Sequence, residues 1–225
     1  MRRLVALPGT LCAPAIFDPL AQRLADAAAL DAVSWMTWPG PWDLSTLAGR
    51  VAERLTAPVT LIGHSTGGAI AQALALEHPE LVEALVLIDT GPNMHGHGDV
   101  DAIIARMERS WGPDLLGAVL DRSFATPLPD DVRREFLGYA AHVAPSSAVE
   151  VLRSQRATDL SSRLGELRMR TAVIHGTDDP TRTVAQARAF AAAIPGASLH
   201  LLPSGHSPMF EVPDEVAEIV RTLLP

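Results

Sequence analysis

A glycine-rich segment of the sequence contains a serine in a setting that suits nucleophilic catalysis. Residues 63–68 read Gly-His-Ser-Thr-Gly-Gly, which includes the pattern Gly-x-Ser-x-Gly. An apolar run at 59–62 enters the segment, and an alanine-rich helical pattern at 69–78 leaves it. A serine on so sharp a turn projects its hydroxyl above a sheet, and larger side chains two positions away would collide. The segment therefore predicts a nucleophile elbow with Ser65 as the nucleophile.

The elements around this turn alternate between strand-like and helical patterns. Strands are predicted at 3–7, 32–37, 59–62, 85–88, 171–175 and 198–202, and helices at 14–28, 44–55, 69–78, 184–194 and from Pro213 onward. Such alternation is typical of an α/β protein, with a mostly parallel sheet and helices on both of its faces.

Residues 92–167 interrupt the alternation, because they show helical patterns without a convincing strand. We interpret them as a helical cap inserted into a core formed by residues 1–91 and 168–225, all within a single compact domain. One cap helix is predicted to begin at Ser147, with Glu150 completing a capping box. The cap would cover the carboxyl ends of the strands, where open α/β sheets bind ligands.

Composition excludes several functional classes. Of the 225 residues, 48% are hydrophobic and 20% are charged, and the net charge is −8 without a block of like charges. These values are typical of a soluble globular chain and do not suit binding to nucleic acid or to an anionic membrane. No apolar run is long enough for a transmembrane span.

Two residue counts narrow the chemistry further. All 18 basic residues are arginine, so the chain has no lysine for a Schiff base or a Walker phosphate site. The single Cys12 permits no internal disulfide, which fits a cytoplasmic location. We expect a reaction that requires no cofactor and no metal.

Four segments together resemble the α/β-hydrolase superfamily, in particular its cap-bearing esterases, lactonases, C–C bond hydrolases and haloperoxidases. These are the elbow at 63–68, the Leu-Pro-Gly-Thr turn at 7–10, the Gly-Thr-Asp-Asp turn at 176–179, and the Gly-His pair at 205–206. The resemblance covers nearly the whole chain. It implies an inserted cap and a triad in the order serine, acid, histidine.

The resemblance assigns roles to the other site residues. His206, in the loop before the last helix, is the expected base for Ser65. The family spacing from Gly176 selects Asp179 as the acid, with Asp178 and Asp89 as alternatives. The backbone N–H groups of Thr66 and Thr10 are the expected oxyanion donors. Proline at position 8 replaces the family's histidine, so Leu11 is an alternative to Thr10.

The expected substrate is a small molecule with an apolar acyl or alcohol group, cleaved as an ester, lactone or thioester. Seven residues are candidate pocket walls: Leu11, Met94, Met107, Trp111, Phe124, Phe136 and Tyr139. The sequence does not indicate the oligomeric state.

Two other functional classes remain open. The same fold also supports C–C bond hydrolysis, lyase or synthase chemistry, haloperoxidation and ligand reception. A metal-dependent hydrolase is a remote alternative, because His95, His97 and Asp99 resemble part of a zinc motif whose final histidine is replaced by Val100.

Overall fold

The structure is a computed structural model that describes residues 2–98 and 100–224. Within these residues, one sheet contains the strands β1 (Arg2–Leu7), β2 (Ala28–Ala32), β3 (Val59–His64), β4 (Val82–Ile88), β5 (Arg170–Gly176) and β6 (Ser198–Leu202). The strand order is β2-β1-β3-β4-β5-β6, and every neighbouring pair is parallel. The predicted α/β fold class is confirmed.

Helices cover both faces of the sheet. They are α1 (Asp18–Leu24), α2 (Leu44–Ala52), α3 (Thr66–Glu77), α4 (Val100–Arg109), α5 (Pro113–Asp121), α6 (Asp130–His142), α7 (Pro145–Ala157), α8 (Val184–Ala193), α9 (Pro208–Glu211) and α10 (Pro213–Leu223). One apolar core includes Leu47 of α2 and Leu74 of α3, and a second core on the opposite face includes Leu20 of α1 and Val220 of α10. Buried strands such as β3, which has no exposed residue, separate these two cores.

Helices α4 to α7 occupy the interval between β4 and β5. This is the interval in which the sequence places a cap. The first of these helices presents Ile104 and Met107 to the core, and the last contributes Val151 and Leu152. Within the described residues, no helix has both the length and the apolar composition needed to cross a bilayer.

The edge strand β2 differs from its prediction at 32–37. It ends at Ala32, and Trp35–Thr37 forms a single 3-10 turn instead. The side chain of Trp35 is fully buried, and its indole N–H donates to the carbonyl of Pro8 at 2.9 Å. The apolar residues that resembled a strand are therefore buried as a turn beside the loop after β1.

Prolines explain two further differences. The predicted helix at 14–28 divides into a 3-10 turn, Pro14–Phe17, and α1, because Pro19 lacks the N–H needed to continue the first turn. The predicted capping box at Ser147 is wrong, since α7 begins two residues earlier at Pro145. The Ser147 hydroxyl donates to the carbonyl of Ala144 at 2.8 Å.

Candidate active site

Ser65 lies on a strained turn between β3 and α3. Its φ of 53° and ψ of −121° fall outside the conformations that L-residues prefer, and such strain costs about 1–3 kcal/mol. The turn is held by the N–H of Ser65, which donates to the carbonyl of Ile88 at 3.0 Å. The Thr90 hydroxyl donates to the carbonyl of Ser65 at 2.8 Å. The surrounding structure thus maintains the strain that the elbow requires.

The two glycines of the elbow are required because of close backbone contacts. A Cβ at Gly67 would lie 2.0 Å from the carbonyl oxygen of Leu7, and one at Gly63 would lie 2.6 Å from the Cα of Gly68. Both distances are far below van der Waals contact. The steric reason proposed from the sequence therefore agrees with the geometry of the turn.

Ser65 lines a cavity of about 220 Å³, together with Thr10, Thr66 and His206. All four residues lie at the carboxyl ends of parallel strands, either in the loop after a strand or at the start of the helix that follows it. The opposite wall is apolar and comes mainly from the helices between β4 and β5. Its side chains include Met94, Ile103, Met107, Leu115, Val119 and Leu152.

His206 is bonded to Asp179 beside this cavity. The two residues lie in the loops that follow β6 and β5, and Nδ1 of His206 is 2.9 Å from Oδ2 of Asp179. The other carboxylate oxygen, Oδ1, accepts from the N–H and the hydroxyl of Thr181 at 2.7 and 2.6 Å. The Asp179 side chain is completely buried. Since Nδ1 of His206 is engaged, Nε2 is the ring nitrogen left for a reaction.

The His206–Asp179 bond shifts both pKa values toward the ionised pair. Burial favours neutral His206, but the hydrogen bond and the charge of Asp179 outweigh it and raise the histidine pKa above its ordinary value. Burial also opposes ionisation of Asp179, yet the bonds from His206 and Thr181 lower its pKa well below its usual range. Asp179 is therefore a carboxylate at neutral pH.

The two alternative acids are placed differently. Asp178 is exposed, and its N–H donates to the carbonyl of Ser204. Asp89 is buried at the end of β4, where it accepts from His175 Nδ1 at 2.7 Å and from the N–H of Gly176 at 3.0 Å. Burial raises the pKa of Asp89 to about 6. Of the three acids, Asp179 is the one bonded to His206 among the described residues.

Backbone N–H groups are available beside Ser65. Thr66 is the first residue of α3, so its N–H has no intrahelical acceptor. The N–H of Leu11 donates to Met36 Sδ at 3.0 Å, whereas that of Thr10 has no acceptor within residues 2–98 and 100–224. The Thr10 hydroxyl donates to that of Thr66 at 2.8 Å, and the latter donates to Gln155 of α7 at 3.0 Å.

Of the seven candidate pocket residues, Met94 and Met107 line the cavity and the others lie elsewhere. Phe124 and Phe136 stack on each other at 6.3 Å between ring centroids. Tyr139 bonds to the Ser34 hydroxyl at 3.1 Å. Leu11 belongs to the apolar core, and the partly buried Trp111 packs against that core. Apolar residues at helical spacing are predicted to face inward, but the spacing does not distinguish a core from a cavity wall.

The two histidines of the zinc-like motif are placed differently. His97 lines the cavity and His95 is exposed, while Asp99 lies outside the described residues. Ligand atoms of Asp89, His175 and Asp179 do lie within 4.8 Å of one another. Asp179 is bonded to His206 and Thr181, and Asp89 Oδ1 is bonded to His175 Nδ1 and the N–H of Gly176, whereas Asp89 Oδ2 and His175 Nε2 are buried without a hydrogen-bond partner among the described residues.

Several residues at the cavity were not expected from the sequence. They are Arg106, Arg122, Arg182, Gln155 and Thr181. Their positions in the chain are far apart, and no short motif contains them. The sequence shows that every basic residue is arginine, but it does not indicate which arginines lie close together in the fold.

Comparisons with known proteins identify a family whose profile matches nearly the whole chain and relatives that match about three quarters of it. The profile described as "Alpha/beta hydrolase family" matches residues 4–219. A pimeloyl-[acyl-carrier protein] methyl ester esterase of Chromobacterium violaceum is 22% identical over 178 residues, which cover 74% of this chain and 70% of the esterase. A 2-hydroxymuconate semialdehyde hydrolase of Pseudomonas putida is 31% identical over 179 residues, which cover 73% of this chain and 61% of the hydrolase.

A solved structure supports the same fold. The esterase EaEST from Exiguobacterium antarcticum superimposes with a TM-score of 0.87 at 22% identity, covering 99% of this chain and 91% of the esterase. At this identity the likeness concerns the fold. The chain spans less than two thirds of the Pseudomonas putida hydrolase, so the activity of that relative is not transferred by the match.

Proposed function

Because the chain belongs to the alpha/beta hydrolase family, we propose that it is a serine hydrolase that cleaves a small carboxylic ester, lactone or thioester. The proposed intermediate is an acyl-enzyme on Ser65. The observation that carries this proposal is the 2.9 Å bond between His206 and Asp179 at a cavity that Ser65 also lines. The relative named as a methyl ester esterase is consistent with ester chemistry.

In the proposed mechanism, Nε2 of His206 accepts the proton of Ser65 as its Oγ attacks the substrate carbonyl. The N–H groups of Thr66 and Thr10 stabilise the negative charge that develops on the carbonyl oxygen. The imidazolium then protonates the leaving group, while Asp179 holds its orientation and stabilises its charge. Water, activated by the same histidine, hydrolyses the acyl-enzyme. The apolar wall described above suits an apolar acyl or alcohol group.

The test is covalent labelling of Ser65 with a fluorophosphonate, followed by a panel of esters, thioesters and lactones of graded length. We expect rapid labelling of the wild type and turnover of at least one substrate class. Ser65→Ala should lose labelling, and Ser65→Ala and His206→Ala should each lose turnover by several orders of magnitude while retaining the native circular dichroism spectrum. Substantial turnover by Ser65→Ala would contradict the mechanism.

C–C bond hydrolysis is the second candidate, favoured by the Pseudomonas putida relative. Including a vinylogous 1,5-diketone in the panel separates the two reactions, because only a C–C hydrolase would cleave it faster than the esters. Turnover that is abolished by EDTA would instead indicate metal-dependent hydrolysis. The cytoplasmic location remains a prediction based on the single cysteine.

A further inference from the structure

Three arginines line the cavity that contains Ser65. They are Arg106 of α4, Arg122 at the end of α5 and Arg182 in the loop after β5. The acid that shares this lining is Asp89, whose oxygen Oδ1 is bonded to His175. None of the ion pairs formed between described residues involves any of these three arginines. The cavity therefore has more positive than negative side chains in a protein whose net charge is −8.

Arg182 is the most buried of the three, with 7% of its surface exposed. One of its terminal nitrogens donates to the carbonyl of Asn93, and its Nε is buried without a hydrogen-bond partner among the described residues. Burial lowers the pKa of Arg182, and the charges of Asp179 and Asp89 oppose this effect. A guanidinium is costly to remove from water unless its donors are used. An unused buried donor at a cavity indicates a missing partner.

His97 adds a second unpartnered nitrogen to the same region. Its Nδ1 is buried without a partner within residues 2–98 and 100–224. Burial, followed by the charges of Arg182, His206 and Arg122, lowers the pKa of His97 to about 4. Arg122, Arg182 and His97 line the same cavity. His97, Arg122 and Arg182 thus form one cluster of donors, which we call the cationic wall.

The order of the strands places the cationic wall relative to the reaction. Thr10 follows β1, which neighbours β3 on one side, and Arg182 follows β5, which lies beyond β4 on the other side. Ser65 follows β3 and lies between them. A substrate whose carbonyl oxygen is directed toward Thr10 would therefore extend its other end toward the cationic wall.

We propose that the cationic wall binds an anionic group on the substrate, so that the enzyme acts on an ester or lactone that also carries a carboxylate or phosphate. This inference rests on the proposed hydrolase function and narrows its substrate class. Guanidinium groups bind the oxygens of either anion through paired hydrogen bonds. The cavity of about 220 Å³ has room for a small molecule.

Two matched pairs of substrates test this proposal. p-Nitrophenyl hemiglutarate and p-nitrophenyl valerate differ in a charge on the acyl side, and 4-carboxyphenyl butyrate and phenyl butyrate differ in a charge on the alcohol side. We expect kcat/KM of the wild type to be at least about tenfold higher for the charged member of one pair. Equal or lower values for the charged members of both pairs would overturn the proposal.

Arginine variants locate the effect. Arg182→Gln and Arg122→Gln should each reduce the ratio of charged to neutral kcat/KM by about tenfold or more. Arg109 is an exposed arginine of α4 that does not line the cavity, so Arg109→Gln is the control. It should leave the ratio of charged to neutral kcat/KM unchanged. Arg122 is exposed, so its variant remains informative if Arg182→Gln does not fold. A ratio that is unaffected in a folded Arg122→Gln variant would contradict the assignment.

Inhibition distinguishes the two anions, with hydrolysis of the neutral ester as the readout. Stronger competitive inhibition by glutarate than by inorganic phosphate supports a carboxylate, and the reverse order supports a phosphate. Failure of the proposal can be separated from failure of the hydrolase function. If the enzyme is labelled at Ser65 and cleaves neutral esters but does not prefer charged ones, the proposed hydrolase function stands and the proposed anion-binding site is rejected.

Discussion

His64 connects the loop that carries His206, the proposed base, to the loop that follows β1. Its Nδ1 accepts from the N–H of Gly9 at 3.3 Å, and its Nε2 lies 2.8 Å from the backbone carbonyl of His206. Because the Gly9 N–H is a donor, Nδ1 must be unprotonated, and Nε2–H is the donor to the carbonyl. Burial lowers the pKa of His64 to about 3, so this neutral form persists. His64, which precedes Ser65 in the chain, therefore positions the backbone of His206.

This relationship predicts the effect of His64→Ala. The variant leaves the His206 carbonyl without its donor, which should cost about 1–3 kcal/mol in free energy of unfolding. A small displacement of the base should lower kcat by about 10–100-fold, with KM changed much less. Steady-state kinetics and urea unfolding measure the two effects.

His64→Gln is the matched control, since its amide can supply a donor in the region of Nε2. We expect it to recover part of the lost kcat. If His64→Ala kept the wild-type kcat while being clearly destabilised, the role of His64 would be structural only.

The Asp179–His206 bond predicts the pH dependence of turnover. His206 acts as a base only when neutral, so kcat/KM should fall as the pH decreases through its pKa, which lies above its ordinary value of about 6.5. In Asp179→Asn the carboxylate that raises this pKa is absent, so the acid limb should move to lower pH. The value of kcat should fall on the order of 10⁴-fold, because the amide does not hold the same tautomer.

Asp178→Asn is the control for this prediction, because Asp178 is exposed and adjacent in sequence. Its pH profile should coincide with that of the wild type. A larger loss in Asp178→Asn or Asp89→Asn than in Asp179→Asn would reassign the acid.

A pair of glycine substitutions tests the packing of the elbow. Gly67→Ala would place its Cβ 2.0 Å from the Leu7 carbonyl oxygen, so we expect a loss of about 3 kcal/mol in free energy of unfolding together with loss of turnover. Gly49 lies within α2, and a Cβ added there would have no atom within 4 Å. Because glycine is less favourable than alanine inside a helix, Gly49→Ala should stabilise the protein by about 0.5–1 kcal/mol. Thermal unfolding of the two variants should therefore shift in opposite directions.

The Thr66 side chain should matter less than its backbone. Thr66→Val removes the hydroxyl that joins Thr10 to Gln155 but keeps the N–H at the start of α3. We expect a loss of less than about tenfold in kcat and about 1 kcal/mol in free energy of unfolding. A loss as large as that of Ser65→Ala would show that the hydroxyl, rather than the N–H, is the essential donor.

The sequence alone determined those features that depend on contacts between near neighbours in the chain. One constraint on the elbow is an example, because the clash that excludes a side chain at Gly63 involves Gly68, only five residues away, whereas the clash at Gly67 involves the distant Leu7. The parallel α/β architecture is another, because alternating buried strands and amphipathic helices have few ways to bury their apolar faces. The start of α10 at Pro213 was also predicted from adjacent residues, since proline and acidic side chains favour the first turn of a helix.

Tertiary structure decided everything that depends on residues distant in sequence. Residues 32–37 have a strand-like pattern, but Trp35 is buried against the loop that contains Pro8, and Trp35–Thr37 forms a turn instead. The sequence identified Phe136 as an inward-facing residue, but only packing shows that it meets Phe124 rather than the cavity. Arg122 and Arg182 are sixty positions apart and converge because the chain between them returns to the sheet as β5. Local pattern determines which way a side chain faces on its element, whereas its neighbours there are determined by how the elements pack.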